Sequence, residues 1–248
     1  MSVSEILAKI RLRKEDLNNL SLSLIQELFL ELTPADISKL CVVSRHFNSF
    51  CNREPLWQNK VWADYGVNKK YEETWRKTAN NMFIVGMINL NKKWINGRTY
   101  NKILETALNE GKDGATYLHD VQIDAVMDYM DYDIDDAGYL SFFPYEHNSE
   151  NIRAFFTDEE YKEVDETIEN MKIILSKEFA IIASVITILS RKYPLLPAAP
   201  TRHPTRTHYN PPPALTSIIS KMIDPIPYIM QACAYVKNGQ NDIIYKEY

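Results

Sequence analysis

Glycine is scarce in this chain, with 7 residues in 248. Phosphate-cradling loops and nucleophile elbows need glycine where the backbone turns sharply or approaches a ligand closely. No Gly-rich run is present, so a P-loop, a dinucleotide fingerprint and a GxSxG elbow are excluded. Cysteine is equally sparse. Cys41, Cys51 and Cys233 are odd in number, have no CxxC spacing and follow no apolar leader. That pattern argues against a disulfide framework and for a reducing compartment, cytoplasm or nucleus, with Cys41 and Cys51 as small core residues. An HExxH motif and paired Cys/His ligand spacings are lacking too. His203 and His208 lie five apart in a proline-rich stretch, which does not build a shared metal face. No catalytic residue, metal or cofactor is expected, and the protein reads as non-enzymatic.

Long apolar runs are also missing. The most apolar stretch, 179–189, is bracketed by Lys177, Glu178, Arg191 and Lys192. It falls short of the roughly 20 residues that span a bilayer, so it reads as a buried core segment and no membrane partner is expected. Continuous burial fits a helix, although VITIL at 185–189 has the composition of a strand. A basic stripe, which a nucleic-acid binder needs to neutralise phosphates, is absent. Charge is instead split. The net charge is −5, but residues 120–169 hold 16 acids against Arg153 and Lys162, leaving +9 elsewhere. The acidic middle is a solvated face or a surface for a basic partner. Asp131, Asp133, Asp135 and Asp136 invite a calcium reading, but the spacing fails. Counted from Asp133, Ala137 replaces an oxygen ligand and Pro144 the closing acid; counted from Asp131, Asp136 sits at the turn glycine and Phe142 at the closing acid.

What is present favours helices. With 45% apolar and 25% charged residues, the composition suits a globular, mostly α chain. Residues 1–16 mix charges and aliphatics in the manner of a short lead-in helix. From 23 to 32, Ile25, Leu28, Phe29 and Leu32 recur at helical spacing, with Ser23 and Gln26 as a capping box. Thr33, Pro34 and Asp36 then signal a second helix start, followed by the stripe Ile37, Leu40, Cys41, Ser44 and Phe47 with Val43 and Phe50 alongside. Pro55 opens a third helix, which ends at Gly66 in the position of a left-handed cap. So small a bundle buries too little surface to stand alone and needs a partner or a neighbouring domain.

Leu20, Leu24, Leu28, Phe29, Leu32, Asp36, Ile37, Leu40, Val43, Ser44, Arg45, Phe47, Phe50, Pro55, Leu56 and Trp57 follow the order and spacing of the F-box family, and VVSRHFNSFCNREPLW resembles that family's second half. The resemblance covers about residues 18–66. Ser21 stands where that family usually carries proline, and Ser23 where it usually carries an acid. Tyr71, Trp75 and the apolar group from Met82 to Leu90 resemble the segment that often trails an F-box. The resemblance implies a substrate-recruiting subunit of an SCF-type ubiquitin ligase, which binds a Skp-family adaptor and through it a cullin. Contact is expected through Leu20, Leu24, Ile25, Leu28, Phe29 and Ile37, with Leu40, Val43, Trp57 and Trp62 holding the module together.

The expected organisation is a lead-in helix at 1–17, an F-box-like module at 18–66 and a helical domain at 67–248, which captures an unidentified protein substrate. Within the last, helices are expected at 99–109 and 115–130 with a turn at Asn96 and Gly97. A long helix follows the capping box at 157–160, and others cover 214–223 and 227–237. Seven of 12 prolines fall in 194–213, an extended loop or linker in which Pro194, Pro197 and Pro200 have polyproline II spacing. No internal repeat of the leucine-rich or WD40 kind is present. The abundance of Asn, Lys, Ile and Tyr is similar to proteins of large DNA viruses, in which case the setting is a host cell. The rival reading is a non-catalytic interaction or structural protein, such as a virion component or a decoy of the host adaptor, that keeps an F-box-like fold.

Overall fold

The computed structural model describes residues 1–130, 165–192 and 223–239. The calcium-like acidic loop, the capping box at 157–160, the proline-rich segment with its histidines and the helix expected at 214–223 lie outside the described residues, as does most of the acidic middle. Among the described residues there is no strand, only an isolated bridge pairing Lys93 with Thr99. The chain is mostly helical. It divides into two compact units, Met1–Asn91 and Lys92–Tyr248.

The first unit holds α1 (Val3–Lys9), α2 (Leu22–Glu31), α3 (Pro34–Cys41), α4 (Arg45–Cys51), α5 (Glu54–Tyr65) and α6 (Trp75–Val85), with a 3-10 turn at Asp16–Asn18. Side-chain capping sets the starts of five of these helices. Ser2 and Glu5 form a reciprocal capping box on α1, and Thr33, Ser44 and Thr74 each accept from an amide of the first turn of α3, α4 and α6. For α2 the cap is Ser21, which accepts from the Leu24 amide at 3.3 Å, in place of the expected Ser23. Ser23 sits in the first turn instead, its hydroxyl 3.0 Å from that of Ser21.

The single helix expected through 34–50 is two helices. Ser44 breaks it, because its hydroxyl serves both as the cap for the Phe47 amide (3.1 Å) and as donor to Asn18 Oδ1 (2.8 Å). A residue that caps a new helix cannot continue the old one. The resulting corner brings the ends of α3 and α4 together, with Cα atoms of Cys41 and Cys51 6.1 Å apart and their sulfurs bonded. This corrects the expectation that neither cysteine is paired: a count of three says nothing about two helix ends that the corner apposes. Cys233 remains a buried thiol.

At the other end, Gly66 terminates α5 with φ +70°. The segment that follows α6 returns to this end. Asn89 and Asn91 donate to the carbonyls of Ala63 and Trp62, and the Leu90 amide donates to that of Tyr65. Orphan carbonyls at a helix end need such partners. The first unit therefore includes residues 67–91, and the apolar group from Met82 to Leu90 is the end of α6 followed by this capping strap.

The second unit contains α7 (Tyr100–Asn109), α8 (Gly114–Met130), α9 (Asp165–Ile174), α10 (Lys177–Lys192) and α11 (Ile226–Lys237). Gly97, φ +77°, makes the expected turn before α7. The apolar run at 179–189 is helix, with no strand at 185–189. Phe179, Ile182, Val185, Ile186 and Leu189 are buried, and α10 packs on α7, α8 and α11. Within Glu169–Lys192 the most apolar 18-residue window has a mean hydropathy of 1.9, enough by length and composition to cross a membrane. However, 56% of its most apolar window is buried inside the unit, and the helix is interrupted at Leu175 and Ser176, which suits a core element. That interruption is held from three sides. Trp94 Nε1 donates to the Ile173 carbonyl (3.0 Å), Gln122 Nε2 to that of Ile174 (3.2 Å), and the Tyr100 hydroxyl meets Ser176 Oγ at 2.9 Å.

Candidate functional site

The first unit is built around Phe29, Phe47 and Trp57. The Trp57 ring meets Phe29 edge-on with centroids 5.1 Å apart, and Phe47 lies 6.1 Å from Phe29. Edge-to-face aromatic pairs add about 0.5–1.5 kcal/mol beyond their buried area. Leu20, Ile25, Leu28 and Ile37 complete the interior at 7%, 0%, 4% and 0% exposure, and Phe29 is at 1%. Five of the six expected contact residues thus lie inside the unit, and Leu24 stands half-buried at its margin. The physical reason is that the periodic stripe is the face by which α2 and α3 pack on α5, α4 and α6. Sequence shows the stripe but not which surface covers it. Leu40 and Trp57 are interior as expected, at 0% each, and Val43 is half-buried. Trp62 is not: it is 49% exposed on α5.

The outward apolar residues of α2 are ones that periodicity passed over. Leu22 and Leu30, 45% and 51% exposed, are eight apart on a helix, with exposed Gln26 midway on the same row. Val42, 85% exposed, follows at the corner after α3. The missed signal is the very pairing of apolar residues with the wrong phase for the core. Around them lie the exposed acids Glu27 and Glu31 and, across the corner, the exposed base Arg45.

Polar contacts fix the supporting frame. Asp36 is buried, accepts from the Thr33 hydroxyl at 2.8 Å and lies 3.9 Å from Lys39. His46 Nε2 is 3.1 Å from the Leu20 carbonyl, and its ring stands edge-on to Phe50. On α5, Lys60 is 1% exposed and pairs with Asp64 at 2.9 Å. Burial raises the Asp64 carboxyl above its ordinary range, opposed by the bond from Lys60. Burial, with Asp64 beside it, also pushes the Tyr65 phenol up. Glu54 accepts from the Trp75 amide at 2.9 Å, and Arg76 lies over the Trp57 ring, so α6 packs back on α5. No cluster of His, Cys, Asp or Glu able to hold a metal occurs among the described residues.

Residues 17–59 match the family model of the F-box domain. No curated protein and no solved structure matches the chain. An F-box domain in general suggests the adaptor role in an SCF ligase; F-box domains typically bind Skp-type adaptors, and F-box proteins are generally non-catalytic. The match starts at the 3-10 turn and ends inside α5, and so the chain carries an N-terminal F-box domain embedded in its first unit.

Proposed function

We propose that this protein is the substrate-recruiting subunit of an SCF-type cullin ubiquitin ligase, in the cytoplasm or nucleus. The F-box docks a Skp-family adaptor, which links it to a cullin, and the second unit captures a protein target. The reading is carried by one coincidence: the segment matching the F-box also presents exposed apolar side chains, Leu22 and Leu30, along a single outward row of α2. Exposed apolar side chains on a rigid helix are the usual anchors of helix-mediated docking. Contact through α2 then begins with Leu22, Leu30 and Leu24. Leu20, Ile25, Leu28, Phe29 and Ile37 hold that helix in place from beneath.

The module itself makes and breaks no bond. Its contribution is geometric, because it fixes a captured protein relative to the transfer machinery.

The test is binding of the full chain to a purified Skp-family adaptor. Retention of the wild type, with loss of at least about tenfold in affinity for Leu22→Glu/Leu30→Glu, is expected, since removing interface anchors costs upwards of about 1–2 kcal/mol. Absence of binding by a folded wild-type chain would sink the ligase reading and leave the F-box as the scaffold of an interaction protein.

A further inference from the structure

We infer that the Cys41–Cys51 pair is a redox-operated staple that sets how firmly α4 is held against α3. The bond joins the last residues of two short helices across the corner at 42–44, closing a loop with a sequence separation of 10. Nothing else ties the two ends covalently. α4 has only 7 residues, fewer than sustain a helix without tertiary support, so the link to α3 bears directly on whether it stays formed. Cross-linking acts by removing open conformations, and here the conformations removed are those in which the corner unfolds.

Both sulfurs are inside the unit, with Cys41 3% and Cys51 1% exposed. Each is nevertheless next to an outward residue, Val42 at 85% exposure and the exposed Asn52. Reaching the sulfurs therefore requires the corner at 42–44 to open locally.

The exchange partner is a low-molecular-weight disulfide such as glutathione disulfide. One cysteine thiolate attacks a glutathione sulfur and expels a glutathione thiolate. The second cysteine thiolate attacks the mixed disulfide and expels the other glutathione. Two electrons pass from the protein dithiol to glutathione disulfide, and the two thiol protons end on the two glutathiones released. The reverse sequence opens the staple. Cys233, buried in the other unit, supplies an internal reference thiol.

The experiment uses the full chain without any adaptor, so its outcome is separate from that of the ligase reading. The chain is equilibrated in glutathione buffers from reducing to oxidising, alkylated after denaturation and counted by mass, with amide hydrogen exchange of residues 34–51 followed in parallel. Expected is a reversible passage from three alkylated cysteines to one, accompanied by about tenfold or greater slowing of exchange in α4. A count of three at every poise, or a count of one that even excess dithiol leaves unchanged, overturns the proposal. So does a count that changes while exchange in α4 does not. The double variant Cys41→Ser/Cys51→Ser should show exchange that is fast and independent of the buffer.

Discussion

The indole nitrogen of Trp57 donates a hydrogen bond to the main-chain carbonyl of Cys51, 2.8 Å away. One side chain thereby caps the end of α4, packs edge-on against Phe29 of α2 and anchors α5, since its ring is wholly buried. Two losses can be separated. Trp57→Phe keeps most of the ring but orphans the carbonyl, for about 1–3 kcal/mol. Trp57→Ala also opens a cavity, for about 3–5 kcal/mol. Urea denaturation of the full chain measures both. Equal costs for the two variants would show that the hydrogen bond, rather than the packing, dominates.

The helices of the first unit were legible because their signals are local. Thr33 with Pro34, Pro55 and Gly66 mark ends wherever they fall, and α3, α5 and the left-handed cap lie where they point. Ser44 was less legible, since the choice between continuing a helix and capping a new one depends on Asn18, 26 residues away, accepting its hydroxyl. The outward apolar row of α2 was illegible for a similar reason. A stripe such as Ile25, Leu28 and Phe29 looks the same whether a neighbouring helix or another protein covers it, and only the position of α5 decides. The Cys41–Cys51 bond likewise depends on the corner and not on the count of cysteines.

That distinction predicts opposite behaviour for two leucines of α2. Leu28 is 4% exposed and Leu22 is 45% exposed. Leu28→Glu buries a carboxylate with no partner, and the first unit should lose upwards of about 3 kcal/mol or fail to fold. Leu22→Glu leaves the new charge in water and adds an acid to the first turn of a helix that has none there, so stability should stay within about 0.5 kcal/mol of wild type. Circular dichroism melts of both variants distinguish them, and a collapse of the Leu22 variant would place that residue in the interior.

Lys60 and Asp64 form an unequal pair, with side chains 1% and 24% exposed. Removing the acid leaves an ammonium with nowhere to go, whereas removing the base leaves a carboxylate that still reaches water. Asp64→Asn should therefore cost about 3–5 kcal/mol, and Lys60→Met about 1 kcal/mol or less. The pH dependence has a fixed sign. Burial raises the folded-state pKa of Asp64 above its ordinary 3.8, so the native chain holds this proton after the unfolded chain has released it. Its contribution to stability is present below that value and falls as pH rises through the folded pKa. Denaturation from pH 3 to 7 should show the Lys60→Met variant losing stability relative to wild type across that window, because the bond that restrains the shift is gone. A flat difference would contradict the assignment.

In the second unit, Tyr100 tests the interruption between α9 and α10. Its hydroxyl meets Ser176 Oγ at 2.9 Å, and burial pushes its pKa up to about 12, with the Ser176 bond opposing and Glu178 adding to the effect. A phenol whose folded pKa lies above its unfolded value keeps its proton in the native chain while the unfolded chain surrenders it. The stability that this provides is complete below pH 10 and is lost as pH climbs from 10 toward 12. Tyr100→Phe removes both the hydrogen bond and this alkaline liability. At pH 7 the variant should be less stable by about 1 kcal/mol, a typical net hydrogen bond, since Ser176 Oγ keeps the Phe179 amide as a partner at 3.4 Å. Above pH 10 the two chains should converge and then cross, because only the wild type must hold a proton that its unfolded state gives up. Urea denaturation of both chains at pH 7, 9, 10.5 and 11.5 reads the gap directly. A gap that stays constant across the series would mean that Tyr100 ionises freely and that the contact with Ser176 does not bury the phenol.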